Sequence, residues 1–507
     1  MKLFFRFSLS SLVLLTAIAA HAESSRPNED AMFGAPPSST KKKKVEPAKP
    51  APARGEKSRD AMELENANGS RDAFASGEAT DNALTLGGKY YQRLTLSGQD
   101  GLKVGDSPLS LPLQFDGFMD ARPNDRLRGF VDGRLLYDPS RDAYSRATNG
   151  AGAGSFQYSS TSAAPTSLSS ITAGTTPNNP AVVLDQAWLK FDVERTVFVT
   201  AGKQHVKWGT SRFFNPTDVL STQRRDPLLP YDLRLGNMMA KFDLPFEKKK
   251  TNLSAIALLD NPDPASSLGQ IGGAFRAETV LGSSEVGIEA VVRNSRGPMY
   301  GADISTPLGP FDFYAEAAYL SNAPNLFYQL NGSLASGSNI ATLVTPVDRS
   351  GPFVQASAGA NYLFGWKENR QATVGVEYFY NGLGYDDAKL YPALIFFNQY
   401  QPFYTAKHYA AFYLTAEGPD EEKHTTFTFS TLGNLSDMSF ISRLDFTWRI
   451  LTYLSFEGYA DVHYGNEGGE FNFSLDTPAL TYQGNAVAPI KIARTLFDLG
   501  LGFRISF

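Results

Sequence analysis

A cluster of charged side chains lies in residues 210–236, a stretch that also holds three prolines. Its charged members of interest are Arg212, Asp218, Arg224, Arg225, Asp226, Asp232 and Arg234. Because proline fixes its own backbone torsion, Pro216, Pro227 and Pro230 stiffen the segment. Guanidinium and carboxylate groups on a stiff segment can select small solutes by size and charge where the segment narrows an opening. We therefore predict a constriction at 210–236; the alternative is an ordinary surface loop whose charges meet water.

Further charges of both signs occur at alternate positions of extended segments. The six that we predict to line the same opening are Arg128, Asp132, Glu316, Glu377, Arg443 and Asp461. Mixed charges on the inner wall of a water-filled channel would steer polar solutes. The alternative is that these side chains pair across neighbouring strands and only solvate the wall. For any single residue the sequence leaves both alternatives open.

Catalytic chemistry has little support in this sequence. Of the five histidines, only His205 and His463 lie in segments that we predict to be strands. His463 shares a strand face with Asp461, but a separation of two residues does not by itself make a catalytic pair. Neither a Gly-x-Ser-x-Gly elbow nor a His-x-x-x-His zinc motif occurs. With no cysteine, a thiol nucleophile and a thiolate zinc site are excluded. We predict no enzyme, no metal and no cofactor.

The composition narrows the class of protein. The 507 residues carry a net charge of -5, which gives no case for nucleic-acid binding. Aromatic residues make up 12% of the chain although the mean hydropathy is only -0.25. Beyond the N-terminus there is no run of about 18 apolar residues, so no helix is predicted to span a membrane.

The N-terminal residues have the features of an export signal. Lys2 and Arg6 precede a short apolar run, and Ala20, His21 and Ala22 form a small-x-small cleavage site. A buried N-terminal helix is the less favoured alternative. Residues 23–82 are rich in Pro, Ala, Ser, Lys and Glu, a composition typical of disorder. We predict a signal peptide at 1–22, a disordered tail at 23–82 and a folded domain at 83–507.

Apolar and polar residues alternate through most of the folded domain, which is the period of a β-strand. In the last segment one face holds apolar residues, namely Phe497, Leu499, Leu501, Phe503, Ile505 and Phe507. Many segments are about 10 residues or longer, as a tilted membrane strand requires. Short turns alternate with long loops, the arrangement of a transmembrane β-barrel. The sheet must close on itself, because lipid offers no partner for a free strand edge.

We count eighteen strands, with sixteen as the main competitor. The predicted strands are 84–99, 109–121, 125–138, 181–194, 196–209, 236–246, 251–260, 272–281, 284–294, 298–306, 311–321, 353–366, 371–386, 408–417, 423–433, 438–450, 453–464 and 493–507. The fold class is thus an all-β, antiparallel, up-and-down barrel with both of its ends on the same side of the membrane.

The signal peptide, the alternation and the terminal Phe503-Arg504-Ile505-Ser506-Phe507 together resemble the Gram-negative outer-membrane β-barrel proteins, porins in particular. That resemblance implies that Phe503, Ile505 and Phe507 form the signal read by the barrel-assembly machinery. A second phrase, from Gly202 through Trp208-Gly209 to Asp218, is similar to one found in porin-like barrels. In general porins the third outer loop folds into the pore, and 210–236 belongs to the third long-side connection here.

The resemblance implies an outer-membrane channel for passive passage of small polar or charged solutes. Its expected partners are outer-membrane lipid, lipopolysaccharide and the assembly machinery, with peptidoglycan or a periplasmic protein at the tail. A homo-oligomer is a further expectation. The alternative function is a structural or docking barrel that binds envelope partners through its tail and loops.

Overall fold

The structure is a computed structural model that describes residues 83–140, 180–221, 225–229, 234–259, 271–293, 296–323, 326–332, 335–367, 370–397, 399–419, 424–482, 484–487 and 489–507. The predicted signal peptide, the predicted tail and most of the long loop at 139–180 lie outside these residues. The same is true of Arg224 and Asp232.

Eighteen long strands form one antiparallel sheet. They are β1 Leu84–Gln99, β2 Leu113–Asn124, β3 Leu127–Tyr137, β4 Ala181–Val193, β5 Val197–Gln204, β6 Asn237–Phe246, β7 Thr251–Leu258, β8 Gly272–Leu281, β9 Ser284–Arg293, β10 Arg296–Leu308, β11 Phe311–Leu320, β12 Phe353–Lys367, β13 Arg370–Asn381, β14 His408–Glu417, β15 Thr425–Asn434, β16 Ser439–Leu451, β17 Leu454–Gly465 and β18 Thr495–Ser506. Each strand pairs with the next in the chain.

The sheet closes because β18 pairs with β1, with Lys89 opposite Ser506 and Ser97 opposite Asp498. Pairing of β1 with β2 on its other side leaves the first strand without a free edge. A closed barrel satisfies the backbone groups that lipid cannot. The predicted fold class and the count of eighteen strands are confirmed, and the count of sixteen is wrong.

Strand boundaries differ from the prediction mainly at the long-loop end. The predicted strand 196–209 ends at Gln204, and the predicted strand 371–386 ends at Asn381. At both places the alternation of apolar and polar residues continues beyond the last ladder partner. At both places the chain leaves the wall of the barrel. Its apolar residues pack against other segments, so apolar and polar residues still alternate although the strand has ended.

The two faces of the barrel differ in polarity. Outward side chains are large and apolar, for example Ile288 at 56% and Leu501 at 54% exposure. Inward neighbours on the same strands, such as Glu289 and Asp498, are polar and buried. Exposed aromatic side chains lie near both rims and include Tyr300, Tyr319, Tyr378, Tyr464, Phe311, Trp448 and Tyr453. An apolar outer band between two aromatic girdles is the surface of a transmembrane barrel.

Among the described residues, no helix has the length and apolar character needed to cross a membrane.

The two ends of the barrel are also unequal. At the end that holds residues 83 and 507 the connections are short turns, such as 282–283 and 309–310. Long connections at the other end include 205–236, 321–352, 382–407 and 466–494. The connections 294–295 and 435–438 are short exceptions at this long-loop end. The predicted asymmetry of the loops is therefore present.

Three of the long connections, 321–352, 382–407 and 466–494, pack together and are called the outer-loop cap. They contain two short helices, α1 Ile340–Leu343 and α2 Tyr391–Phe396. Three two-stranded hairpins complete the cap, and one of them pairs Leu475–Thr477 with Ile490–Ile492. Apolar side chains of α2 are buried against Phe473 and Leu475. The cap thus has hydrophobic cores of its own.

A buried polar node ties the cap to the barrel rim. Glu470 accepts hydrogen bonds from Tyr409 Oη at 2.6 Å and from Asn434 Nδ2 at 2.8 Å, and a third from the Phe403 backbone. Asp437 accepts from Tyr391 Oη at 2.9 Å and from the Glu470 backbone N–H at 2.8 Å. The node therefore joins two of the cap's connections to β14 and β15.

Glycine on the inner face of β18 makes room for an aromatic ring. A Cβ atom at Gly500 would clash with the ring of Tyr459, which lies flat across the neighbouring strand. We expect Gly500→Ala to lower the stability of the barrel by about 1–3 kcal/mol, the usual cost of overpacking. The measurement is the urea midpoint of unfolding in detergent. Gly133→Ala is the matched control, since nothing lies within 4 Å of its Cβ position. Equal midpoints for the two variants would contradict the expectation.

Candidate functional site

The connection 205–236 is called the inner loop. Its described residues leave β5 and run against the inner wall on the far side of the barrel. The Thr210 N–H donates to Glu316 Oε2 at 2.8 Å, and Thr217 Oγ1 donates to the same oxygen at 3.2 Å. Glu316 belongs to β11. Gly209 has a φ of +90°, and a Cβ there would meet the Glu316 carboxylate. Only glycine allows the chain to pass this close to Glu316.

Glu377 of β13 is the second anchor of the inner loop. Its carboxylate accepts hydrogen bonds from three consecutive backbone N–H groups, those of Arg212 at 2.9 Å, Phe213 at 3.2 Å and Phe214 at 2.7 Å. Tyr314 Oη also donates to it at 2.8 Å. Glu377 is 3% exposed. A charged acceptor that holds several N–H groups makes stronger hydrogen bonds than a neutral one.

Apolar contacts hold the same part of the inner loop. The ring of Phe214 stacks on Phe379 at 5.0 Å between centroids and contacts Tyr409 at 5.3 Å. Further along, Leu220 is buried in a cluster with Met239. Arg293 of β9 donates to the Leu220 carbonyl at 2.8 Å. The inner loop is therefore attached to the wall at both β9 and β13.

Several predicted constriction residues serve the inner loop itself. Asp218 and Arg234 form a buried ion pair at 2.8 Å. Arg225 Nη1 donates to the Arg212 carbonyl at 3.2 Å. Asp226 accepts from the Leu228 N–H at 2.9 Å, and burial raises the pKa of its carboxyl to about 6. These contacts show that the clustered charges fix the shape of the loop.

The predicted wall residues are placed on the inner face, and three of the six have ionic partners. Arg128 pairs with Asp120 at 2.9 Å, and Arg443 pairs with Asp445 at 2.9 Å. Asp461 lies 3.8 Å from Arg443. Asp132 is on β3, where its Oδ1 is buried without a hydrogen-bond partner. Arg128 and Arg443 therefore pair with carboxylates of the wall, which is the alternative that the sequence left open.

A cleft of about 810 Å³, partly open to solvent, separates the inner loop from β1 and β15–β18. Its lining carries four arginines, Arg93, Arg212, Arg225 and Arg443, and two carboxylates, Asp445 and Glu457. A larger space of about 1270 Å³ lies on the other side of the inner loop toward the cap. The inner loop therefore stands between two water-accessible spaces.

Sequence reasoning missed Arg93 in this lining. The side chain lies on β1, whose alternation is irregular because Tyr90 and Tyr91 are adjacent aromatic residues. Arg93 Nε donates to Tyr91 Oη at 2.6 Å, and its guanidinium lies 5.2 Å from the Tyr459 ring centre. One feature of the sequence could have identified Arg93. It lies two residues after Tyr91, and therefore on the same strand face, in the strand that pairs with β18.

The three C-terminal residues of the predicted assembly signal lie on β18 or just after it. Phe503 stacks on Tyr90 at 5.7 Å, and Ile505 pairs opposite Tyr90 in the register. Phe507 is 67% exposed on the outer surface, and its backbone bonds to Gly88. These residues thus complete the closing seam of the barrel.

Comparison with known proteins finds structural similarity only at low TM-scores. No model of a protein family matches the sequence, and no curated protein matches it with significance. Among solved structures, a triple mutant of Rhodopseudomonas blastica porin is 10% identical, with a TM-score of 0.38, over 84% of this chain and all of that chain. Another variant of the Rh. blastica porin, also 10% identical, covers the same shares with a TM-score of 0.39. Scores this low carry no argument about function. The porin-like architecture of this chain, a closed transmembrane barrel of eighteen antiparallel strands, stands on its own strand pairing.

Proposed function

We propose that the protein is a passive outer-membrane channel that prefers small anionic solutes. The observation that carries the proposal is the cleft beside the inner loop, with four arginines against two carboxylates in its lining. A narrow passage with an excess of fixed positive charge concentrates anions and repels cations.

Three of the four arginines of the cleft lie against aromatic faces. The Arg443 guanidinium lies 3.9 Å from the Tyr459 ring centre, and that of Arg212 lies 3.8 Å from the Tyr413 ring centre. A guanidinium stacked on a ring is held through its flat face, while its N–H groups point outward in the plane. Arg212, which is half-buried, is well suited to a brief contact with a carboxylate or phosphate in transit, whereas Arg443 is buried and paired with Asp445.

The inner loop would set the width of the passage. It is attached at Glu316 and Glu377, and its far side faces the larger space near the cap. A solute that crosses the barrel would pass from that space, beside the inner loop, into the arginine-lined cleft. This proposal keeps the predicted constriction at 210–236 but assigns its charge selection to Arg212, Arg225 and the wall arginines.

The remaining expectations about the envelope belong to the same proposal. An apolar exterior and a C-terminal aromatic residue support placement in a bacterial outer membrane, with lipid and lipopolysaccharide around the barrel and the assembly machinery acting on β18. The docking-barrel alternative depends on the tail and on the loop at 139–180, which lie largely outside the described residues.

Ion selectivity tests the proposal. In a planar bilayer with a KCl gradient, we expect a reversal potential of the sign that anion preference produces. Arg93→Gln combined with Arg212→Gln removes two positive charges from the cleft and should shift the reversal potential toward cation preference. Arg195→Gln removes one charge at an exposed turn, where Arg195 pairs with Asp125 at 3.0 Å, and should leave the potential nearly unchanged. Cation preference in the unmodified protein, or no conductance at all, would contradict the proposal.

A further inference from the structure

Three side chains with metal-binding atoms meet on the inner wall at the seam between β17 and β18. Asp461, His463 and Asp498 are all buried, and their ligand atoms lie within 4.8 Å of one another. His463 Nε2 is 3.4 Å from Asp461 Oδ1 and 3.4 Å from Asp498 Oδ2. This cluster lies outside the lining of the arginine cleft.

Hydrogen bonds to residues around the cluster fix the orientation of its side chains. His463 Nδ1 is 2.6 Å from the Phe471 carbonyl oxygen, so Nδ1 carries the proton and donates. Ser97 Oγ donates to Asp498 Oδ1. A histidine that donates one ring N–H to a backbone carbonyl presents the other nitrogen as a ligand, which is the usual second-shell arrangement of metal sites.

Two polar atoms of the cluster have no hydrogen-bond partner. His463 Nε2 and Asp461 Oδ2 are both buried without one, and the side chains are 2% and 0% exposed. Leaving a buried polar atom unpaired costs free energy, so such atoms indicate a missing ligand. The other oxygen of Asp461, Oδ1, accepts the Asp498 backbone N–H at 3.0 Å, while Oδ2 lies 3.8 Å from Arg443.

The two separations from the histidine nitrogen fit ligands of one metal ion. Another histidine in the barrel, His205, forms an ordinary contact with Asp185 at 2.9 Å between Nε2 and Oδ1. In the cluster both nitrogen-to-oxygen separations are 3.4 Å. Donors bound to one tetrahedral zinc at about 2.0–2.1 Å are about 3.3 Å apart. The cluster has the spacing of ligands around a common ion.

The charge of the cluster also calls for a cation. Asp461 and Asp498 are two carboxylates beside a histidine whose Nε2 faces them. The nearest arginine, Arg443, makes its close contacts with Asp445 at 2.9 Å and is 3.8 Å from Asp461. A divalent ion would neutralise both carboxylates and satisfy the nitrogen.

We propose that Asp461, His463 and Asp498 bind a divalent transition-metal ion, with zinc as the representative ion. One imidazole nitrogen and two carboxylate oxygens form a donor set that suits zinc and is too small for calcium, which takes six to eight oxygens. The ion would join β17 to β18 beside the closing strand pair and so stabilise the seam. The proposal does not depend on the channel function.

Zinc binding to the whole protein tests the proposal. The full-length exported chain, without an affinity tag, is folded in detergent, treated with EDTA and titrated with Zn²⁺ by calorimetry. We expect one ion per chain and a rise in the urea midpoint of unfolding when zinc is present. His463→Gln should weaken binding by about tenfold or more and abolish the rise in midpoint. Asp498→Asn is a second variant with the same expected loss.

His205→Gln is the matched control, because it removes a partly buried histidine that also contacts an aspartate. It should leave zinc stoichiometry unchanged. Folding of each variant is checked by its heat-modifiable mobility on a gel. Failure of the unmodified protein to bind Zn²⁺, or equal binding by His463→Gln, would overturn the proposal and leave His463 as an imidazolium between two carboxylates.

Discussion

Replacing Glu377 by leucine is expected to raise single-channel conductance several-fold, because it removes the acceptor for three consecutive N–H groups of the inner loop. The Arg212, Phe213 and Phe214 N–H groups would lose their partner. Each buried N–H donor left without an acceptor costs about 1–3 kcal/mol of free energy. Detachment of the inner loop from the wall is then favoured over its attachment. The measurement is conductance in a planar bilayer at symmetric salt.

Glu285→Leu is the control for this change. Glu285 lies on β9 on the same inner face as Glu289, but it is exposed near the short-turn end. Conductance of this variant should remain close to that of the unmodified channel. Unchanged conductance of a folded Glu377→Leu barrel would show that the inner loop does not limit flow. An equal increase in both variants would show that the loss of any inner carboxylate is sufficient.

The second large effect is expected at the polar node beneath the outer-loop cap, where rising pH should loosen the cap. Burial and the neighbouring Asp437 raise the pKa of the Glu470 carboxyl to about 8. In the open cap the same carboxyl titrates near its ordinary value of about 4.3. Between these values the closed cap holds a proton that the open cap releases. The stability of the closed cap therefore falls as pH rises through this range and levels off above about 8.

Thiol labelling can measure this opening, since the natural chain contains no cysteine. Ile395→Cys places a thiol at a position on α2 that is 1% exposed. The labelling rate of this chain is compared at each pH with that of the same chain carrying Glu470→Gln, which mimics the protonated acid. The ratio of the two rates cancels the intrinsic pH dependence of the thiol.

We expect this ratio to rise by more than tenfold between pH 5 and pH 8, since each unit of pKa difference is worth about 1.4 kcal/mol. A ratio that stays constant with pH would contradict a proton on Glu470 in the closed cap. Asp386→Asn is a control, because Asp386 pairs with Lys407 in an exposed part of the same cap.

Prediction from sequence was most successful where the signal is local. Alternation along β18 places Leu499 and Leu501 outside and Asp498 inside, and the structure agrees. It was least successful where a segment leaves the sheet. Residues 205–209 continue the alternation of β5, but they turn inward because Gly209 bends the chain against Glu316.

The sequence predicted a constriction at 210–236, and the constriction stays a prediction. Among the described residues of this segment, Thr210, Phe214 and Leu220 are bonded to the inner wall. Asp218 and Arg234, however, pair with each other and hold the loop in shape. Glu377 lies on the inner face, as predicted, and there it accepts the inner loop's N–H groups. Charge and spacing in a sequence do not distinguish a residue that meets solute from one that meets backbone.

By itself the sequence determined the all-β fold, the face of the sheet on which alternate side chains lie and the asymmetry of the two ends, and it favoured eighteen strands over sixteen. These follow from a period of two residues and from turn lengths, which are properties of neighbouring residues. Only the tertiary structure decided that Glu377 anchors the inner loop, that Arg93 joins the cleft and that His463 meets Asp498. Each of these contacts joins different strands or loops. Their geometry depends on strand register and on barrel closure, which no local pattern specifies. A slip of one residue in the register would turn every side chain of a strand to the opposite face.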